Sequence, residues 1–302
     1  MTTALFFLIG LFFGSFANVI SLRLHSKKSG IFWGHSECPK CGHLLSWWEN
    51  LPVISFLILR GKCRKCRDKI SIQYPAVELF FGFLFAGTAH FVGTENPILF
   101  GFSLFLVFAL GILTISDLRF LEIPDEVSLP AIFLSAVAAI FSVKIPLEKA
   151  IFGAIVAYGF FALQIFLPAA LAAVREKNIR IFRDGFLGVL IFPIWLFFAI
   201  FGAGKWFEKK IHFEKMAEIP AWIGGGDLRL AIIIGLALGP AVGLFSIFLG
   251  YFFGAIVAVP MLFAKKNRGK KIPLGPFLAA GAIAGIWAGD ALFDAYLRFL
   301  GF

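Results

Sequence analysis

Four cysteines and two aspartates are the residues of this chain whose type and spacing suggest chemistry. The cysteines form two pairs, CPKC (Cys38, Cys41) and CRKC (Cys63, Cys66), about 20 residues apart. Two such pairs suit a tetrahedral zinc ion, because each CxxC turn sets two thiolates on one side of the metal. Lys40, Lys62, Arg64 and Lys65 would help balance the charge of a four-thiolate centre. Two disulfides or free thiols are the alternatives, and a reducing compartment disfavours disulfides. Four protein ligands fill the coordination sphere, so such a zinc would hold a fold and leave no open position for catalysis. His35 and His43 lie close by and read as surface residues.

Asp117, in TISDLRFLEIPD, and Asp227, in IGGGDLRL, stand at the ends of apolar stretches. Ionisable groups at membrane depth are costly and are functional candidates by default. Two carboxylates sharing a site hold one proton between them, and such a pair can activate water against an amide carbonyl. Gly224, Gly225 and Gly226 give the backbone beside Asp227 unusual freedom and allow close approach. Taken singly, each aspartate reads equally well as an interfacial cap or a helix–helix ion pair. Asp125, beside Pro124, reads as the start of a helix.

The elements that must position these groups are membrane helices. Of the 302 residues 60% are hydrophobic, 40 are phenylalanine and only 15% are charged. A soluble domain carries about 25% charged residues. Apolar runs at 4–24, 76–92, 98–116, 127–143, 150–174, 228–238, 242–264 and 276–297 predict about eight transmembrane helices in an all-α polytopic fold. Period-two alternation is absent, which argues against a barrel. Residues 4–24 lack a basic n-region and a convincing cleavage site, so they read as a retained span.

Loop charge predicts the orientation. Residues 25–74, 175–183, 205–215 and 265–271 are rich in Lys and Arg, whereas 93–97 and 239–241 have none. The positive-inside rule places the first group in the cytoplasm and the N-terminus outside. The net charge of +10 therefore reads as topology and not as nucleic-acid binding. Residues 1–24 form the first span, 25–74 a small cytoplasmic zinc-binding domain, and 75–302 the transmembrane core. Asp117 and Asp227 then share the cytoplasmic side. The short run from Leu228 to the turn near Gly239 spans roughly 18 Å, less than the bilayer core, so Asp227 starts its helix below the surface. Residues 186–202 are near the lower limit for a span, have basic flanks and contain Pro193, which predicts a bent or re-entrant segment.

Several motifs, in order, resemble the type IV prepilin peptidases, the bifunctional leader peptidase and N-methyltransferase family of type IV pili and type II secretion. They are GSFANVISLRL (14–24), CPKC to QYPAVELFFG (38–82), DLRFLEIPD (117–125), GGGDLRL (224–230) and KIPLGPF (271–277). The resemblance implies that Asp117 and Asp227 form the catalytic pair of an inner-membrane enzyme. It implies a prepilin or pseudopilin precursor as substrate, cut after a basic leader ending in Gly. It also implies methylation of the new N-terminus from S-adenosylmethionine. The residues alone do not locate the methyl donor. No GxGxxG loop follows a strand, and Gly14, Asn18, Arg23 and the exposed-looking Glu49 and Asn50 are the candidates, the last two reading equally well as a turn. Glu78 could pair with Arg23 or Arg60. A docking protein that binds pilins without cutting, or a transporter using the acids as a proton relay, are the rival readings.

Overall fold

The computed structural model describes residues 1–26, 36–175, 179–206, 224–263, 272–299 and 301. Among these the chain is helical, with two isolated β-bridges, Glu37 to Leu44 and Lys62 to Lys69. The helices are α1 (Thr2–Ser26), α2 (Ile54–Ile58), α3 (Gln73–Phe91), α4 (Pro97–Phe120) and α5 (Asp125–Ile140). They continue as α6 (Leu147–Arg175), α7 (Ile179–Ile200), α8 (Gly225–Phe263) and α9 (Gly275–Phe299), and a 3-10 turn covers Trp47–Asn50.

Each of the eight expected spans falls on one of these helices. Five helices, α1, α4, α6, α8 and α9, are long and apolar enough to cross a membrane. The helix α3 has 19 residues and α5 has 16, so they fall near or below the usual span. Phe12, Phe133, Phe152, Ile155 and Phe252 point outward, as expected where lipid and not water surrounds the helices. This is an all-α polytopic membrane protein.

The helix ends follow local chemistry. Asn96 caps α4, its side-chain oxygen accepting the Ile98 and Leu99 amides, with Pro97 in the first turn, where no amide is needed. At the other end Leu121 takes a left-handed conformation and its amide closes on the Asp117 carbonyl. Asp125 and Glu126 open α5, where the helix dipole favours negative charge.

The chain forms two compact units, Met1–Pro124 with Ile286–Ala288, and Asp125–Gly285 with Gly289–Phe302. In the first, α1 packs along α3, and α4 lies against both. The α1–α3 approach is backbone to backbone, since a Cβ on Gly14 would sit 2.6 Å from the Glu78 Cα. In the second, α6 packs along α8, with α5 and α7 beside them. Gly153 and Gly235 face each other there, and a Cβ on Gly235 would reach within 2.6 Å of the Ala154 backbone. Small residues at the contact are how helices approach closely without a hydrophobic drive between them.

The helix α8 is two arms. Gly239 takes φ 75° and ψ −173°, a conformation that suits glycine, and Pro240 then opens the second arm. The arms fold back on each other, because a Cβ on Gly243 would lie 3.4 Å from the Ile234 carbonyl. This is the turn expected between 228–238 and 242–264. The bend expected at Pro193, within 186–202, is not found. The segment lies within α7, which runs unbroken through Pro193, and the chain turns only after Ile200, at Gly202. The basic stretch 265–271 and most of 205–215 lie outside the described residues.

Candidate active site

The four cysteines come together. Their sulfurs all lie within 4.8 Å of one another, with Cys38 to Cys66 at 3.9 Å and Cys41 to Cys63 at 4.0 Å. Disulfide sulfurs sit about 2.05 Å apart, so these are free thiols. Around a tetrahedral zinc with Zn–S near 2.3 Å the sulfurs would stand roughly 3.8 Å apart, close to the 3.9 and 4.0 Å of these two pairs.

Two matching turns build the cluster. Gly42 donates to the Cys38 carbonyl and Cys38 to the His43 carbonyl. Arg67 donates to the Cys63 carbonyl, and Cys63 to the Asp68 carbonyl. Backbone amides of Cys66 and Lys65 lower the Cys63 thiol to about 6. The Asp68 amide favours the Cys66 thiolate, but burial and three sulfur neighbours outweigh it and push that thiol up to about 12. Thiolates gathered this closely hold protons against each other unless a cation joins them, and the donor set suits zinc.

Glu49 corrects the sequence reading. It is buried, only 6% exposed, within the 3-10 turn. Its Oε2 accepts the Ser46 amide at 2.9 Å and faces His43 Nε2 at 3.3 Å. Burial opposes its ionisation, yet these bonds and the His43 ring hold its carboxyl below the usual carboxylate range. The S-x-x-E spacing from Ser46 to Glu49 is the capping-box signal that could have found this. His43, expected at the surface, is the partner of this carboxylate.

Asp117 lies in the last turn of α4, 7% exposed. Buried polar groups tie this helix end to its neighbours. Ser116 donates to Ser21 on α1 at 3.2 Å, and Arg119 donates to the Asn18 oxygen at 2.8 Å. Asn18 in turn donates to the Tyr74 carbonyl. Below the cluster Glu78 accepts the Val53 amide at 2.7 Å, holding a β-branched residue at φ 62°. The Arg23 or Arg60 pairing suggested for Glu78 is therefore not the contact that defines it. Gly14 packs against the α3 backbone and Asn18 bridges Tyr74 and Arg119, whereas Glu49 uses only Oε2 and its buried Oε1 has no hydrogen-bond partner among the described residues.

Asp227 lies in the other unit, in the first turn of α8. Its Oδ2 accepts the Gly224 amide at 3.1 Å, and its own amide donates to the Gly224 carbonyl. The three glycines thus lead into a helix N-terminus that carries the carboxylate. Two residues on, Arg229 pairs with Asp125 at the start of α5. The structure gives Asp125 a partner that sequence reasoning missed.

Residues 104–259 match the type IV leader peptidase family, and residues 8–92 match the bacterial peptidase A24 N-terminal domain. The chain belongs to the type IV leader peptidase family. It is a peptidase. It is similar to the prepilin leader peptidase/N-methyltransferase of Stutzerimonas stutzeri, 30% identical across 96% of this chain and 92% of the relative. The protein of that name from Xanthomonas campestris pv. campestris is 30% identical across 97% and 93%. That from Bacillus subtilis is 28% identical across 98% of both. No solved structure matches the chain. Asp117 and Asp227 both fall in the segment matched by the peptidase family, and the four cysteines fall in the segment matched by the N-terminal domain.

Proposed function

We propose that this peptidase is an inner-membrane aspartate endopeptidase that removes the leader of prepilin-like precursors and N-methylates the new terminus. The observation that carries the reading is similarity from end to end with proteins named prepilin leader peptidase/N-methyltransferase. The N-terminus lies outside and the cysteine unit in the cytoplasm, because basic residues crowd that unit.

Asp117 and Asp227 form the catalytic pair. One carboxylate takes a proton from water, whose oxygen attacks the scissile carbonyl carbon. The other carboxyl supplies a proton to the carbonyl oxygen. Collapse breaks the C–N bond and the departing nitrogen leaves as an amine after taking a proton. No nucleophilic Ser or Cys is needed. The Gly224–Asp227 bonds fix the carboxylate at a helix start, which supports a preorganised role. Cys38, Cys41, Cys63 and Cys66 hold a structural zinc that staples a unit too small to build its own core. S-adenosylmethionine supplies the methyl group.

The test is incubation of the purified protein with a pilin precursor and S-adenosylmethionine. Mass measurement of the product should show leader loss plus one methyl group. An uncut precursor would overturn the reading. Loss of the leader without methylation would leave the peptidase and remove the transferase.

A further inference from the structure

The fold-back of α8 sets a third polar group beside the Asp227 arm. Asp227 and Tyr251 are equidistant in sequence from Gly239, where the two arms meet. At 1.5 Å per residue both lie roughly 18 Å from that turn, so they stand at one depth. The Tyr251 hydroxyl is within electrostatic reach of the Asp227 carboxylate.

The hydroxyl is aimed from a third direction. Tyr251 donates to the Gln164 side-chain oxygen on α6 at 2.9 Å. Rings of Phe160 and Phe161, also on α6, pack around the tyrosine at 6.0 and 6.2 Å between centroids. Gln164 is itself tied back to the Phe160 carbonyl at 3.5 Å. A glutamine and a tyrosine in an apolar helix pair need a reason, since each must be satisfied inside the bundle. With its only hydrogen committed to Gln164, the tyrosine keeps its oxygen lone pairs as acceptors. Toward a neighbouring carboxyl it can therefore only receive a hydrogen.

We propose that Tyr251, aimed by Gln164, is a positioning residue for peptide cleavage, its oxygen accepting the hydrogen of the protonated Asp227 carboxyl or of a water held there. This deepens the proposed function and rests on Asp227 being one of the catalytic pair. The dyad carries one proton, and an acceptor that cannot donate fixes where that proton points. Orientation of a proton held in the substrate-bound state affects turnover and leaves substrate binding alone.

The experiment compares Tyr251→Phe, Gln164→Ala, Gln164→Glu, the Tyr251→Phe/Gln164→Ala pair and Asp227→Asn, all as full chains in detergent, on a pilin precursor. Tyr251→Phe should lower kcat roughly 10-fold with KM unchanged, the scale of one hydrogen bond made in the reacting state. Gln164→Ala should do the same, the double variant should be no worse than either, and Gln164→Glu, which keeps an acceptor, should restore turnover. Unchanged kcat in Tyr251→Phe, or additive losses in the pair, would overturn the proposal. If kcat tracks only the folded fraction in thermal unfolding, the contact is a helix tie and the proposal fails. Asp227→Asn separates the two claims. Cleavage by that variant would remove the catalytic reading itself. Its inactivity beside a fully active Tyr251→Phe would remove only the tyrosine.

Discussion

The Arg119 guanidinium donates to the Asn18 oxygen at 2.8 Å, fastening the end of α4 that carries Asp117 to α1. Asn18 is 2% exposed and also donates to the Tyr74 carbonyl, so one amide of α1 joins the start of α3 and the end of α4. Asn18→Ala strands both partners and should cost about 1–3 kcal/mol. Asn18→Asp keeps an acceptor for Arg119 and should cost less. Thermal unfolding in detergent ranks the two, and equal loss would show that the Tyr74 bond and not the arginine bond matters.

Asp125 and Asp117 should behave differently although eight residues separate them. Asp125 is half exposed and holds Arg229, whose side chain is only 11% exposed. Asp125→Asn weakens that ion pair, but water reaches the site, so the loss should be about 1–2 kcal/mol, below that of a fully buried pair. Cleavage should persist in Asp125→Asn. Asp117→Asn and Asp227→Asn should each abolish cleavage while the protein stays folded in the membrane. Activity assays on the three variants side by side decide it, and an Asp125→Asn variant as dead as the others would add a third acid to the mechanism.

Metal removal should unfold the cysteine unit and leave the membrane helices. Zinc needs thiolates, and the Cys63 thiol is lowered to about 6. A depressed thiol pKa favours the thiolate that zinc binds, and protons compete with the metal as pH falls. Elemental analysis should find one zinc per chain at neutral pH, with retention falling as acid protonates the four thiolates. Cys38→Ser with Cys63→Ser should abolish binding. Protease sensitivity confined to 36–72 would locate the damage.

Much of this was legible because membrane physics leaves few choices. Apolar runs marked the helices, and the uncharged Gly239–Pro240 step marked the turn inside α8. The CxxC spacing marked the cluster because two such turns have one good common geometry. What escaped depended on partners distant in sequence. Glu49 looked exposed among tryptophans, yet it is buried, its carboxylate turned onto the Ser46 amide. Tyr251 drew no attention because its meaning lies in the fold-back, and only its symmetric spacing from Gly239 hinted at it. The Arg229–Asp125 ion pair joins residues about a hundred positions apart, and nothing local to either one signals it.

Pro193 shows the same limit most clearly. A proline has no amide to donate to the carbonyl four residues earlier, and an unsatisfied carbonyl at membrane depth predicts a break. That carbonyl belongs to Val189, and the Tyr158 hydroxyl of α6 donates to it. Tyr158 also stacks on Phe192 at 6.1 Å, which seats the ring beside the proline turn. The helix therefore continues because a neighbouring side chain supplies the missing donor, as prolines in membrane helices require. Tyr158→Phe removes the donor and should destabilise the protein by about 1–3 kcal/mol. Pro193→Ala restores the helix's own hydrogen bond to Val189. In that background Tyr158→Phe should be nearly silent, since the carbonyl no longer depends on the hydroxyl. Thermal unfolding of the two single variants and the double completes the cycle. Additive losses would mean that the hydroxyl serves something other than the proline gap.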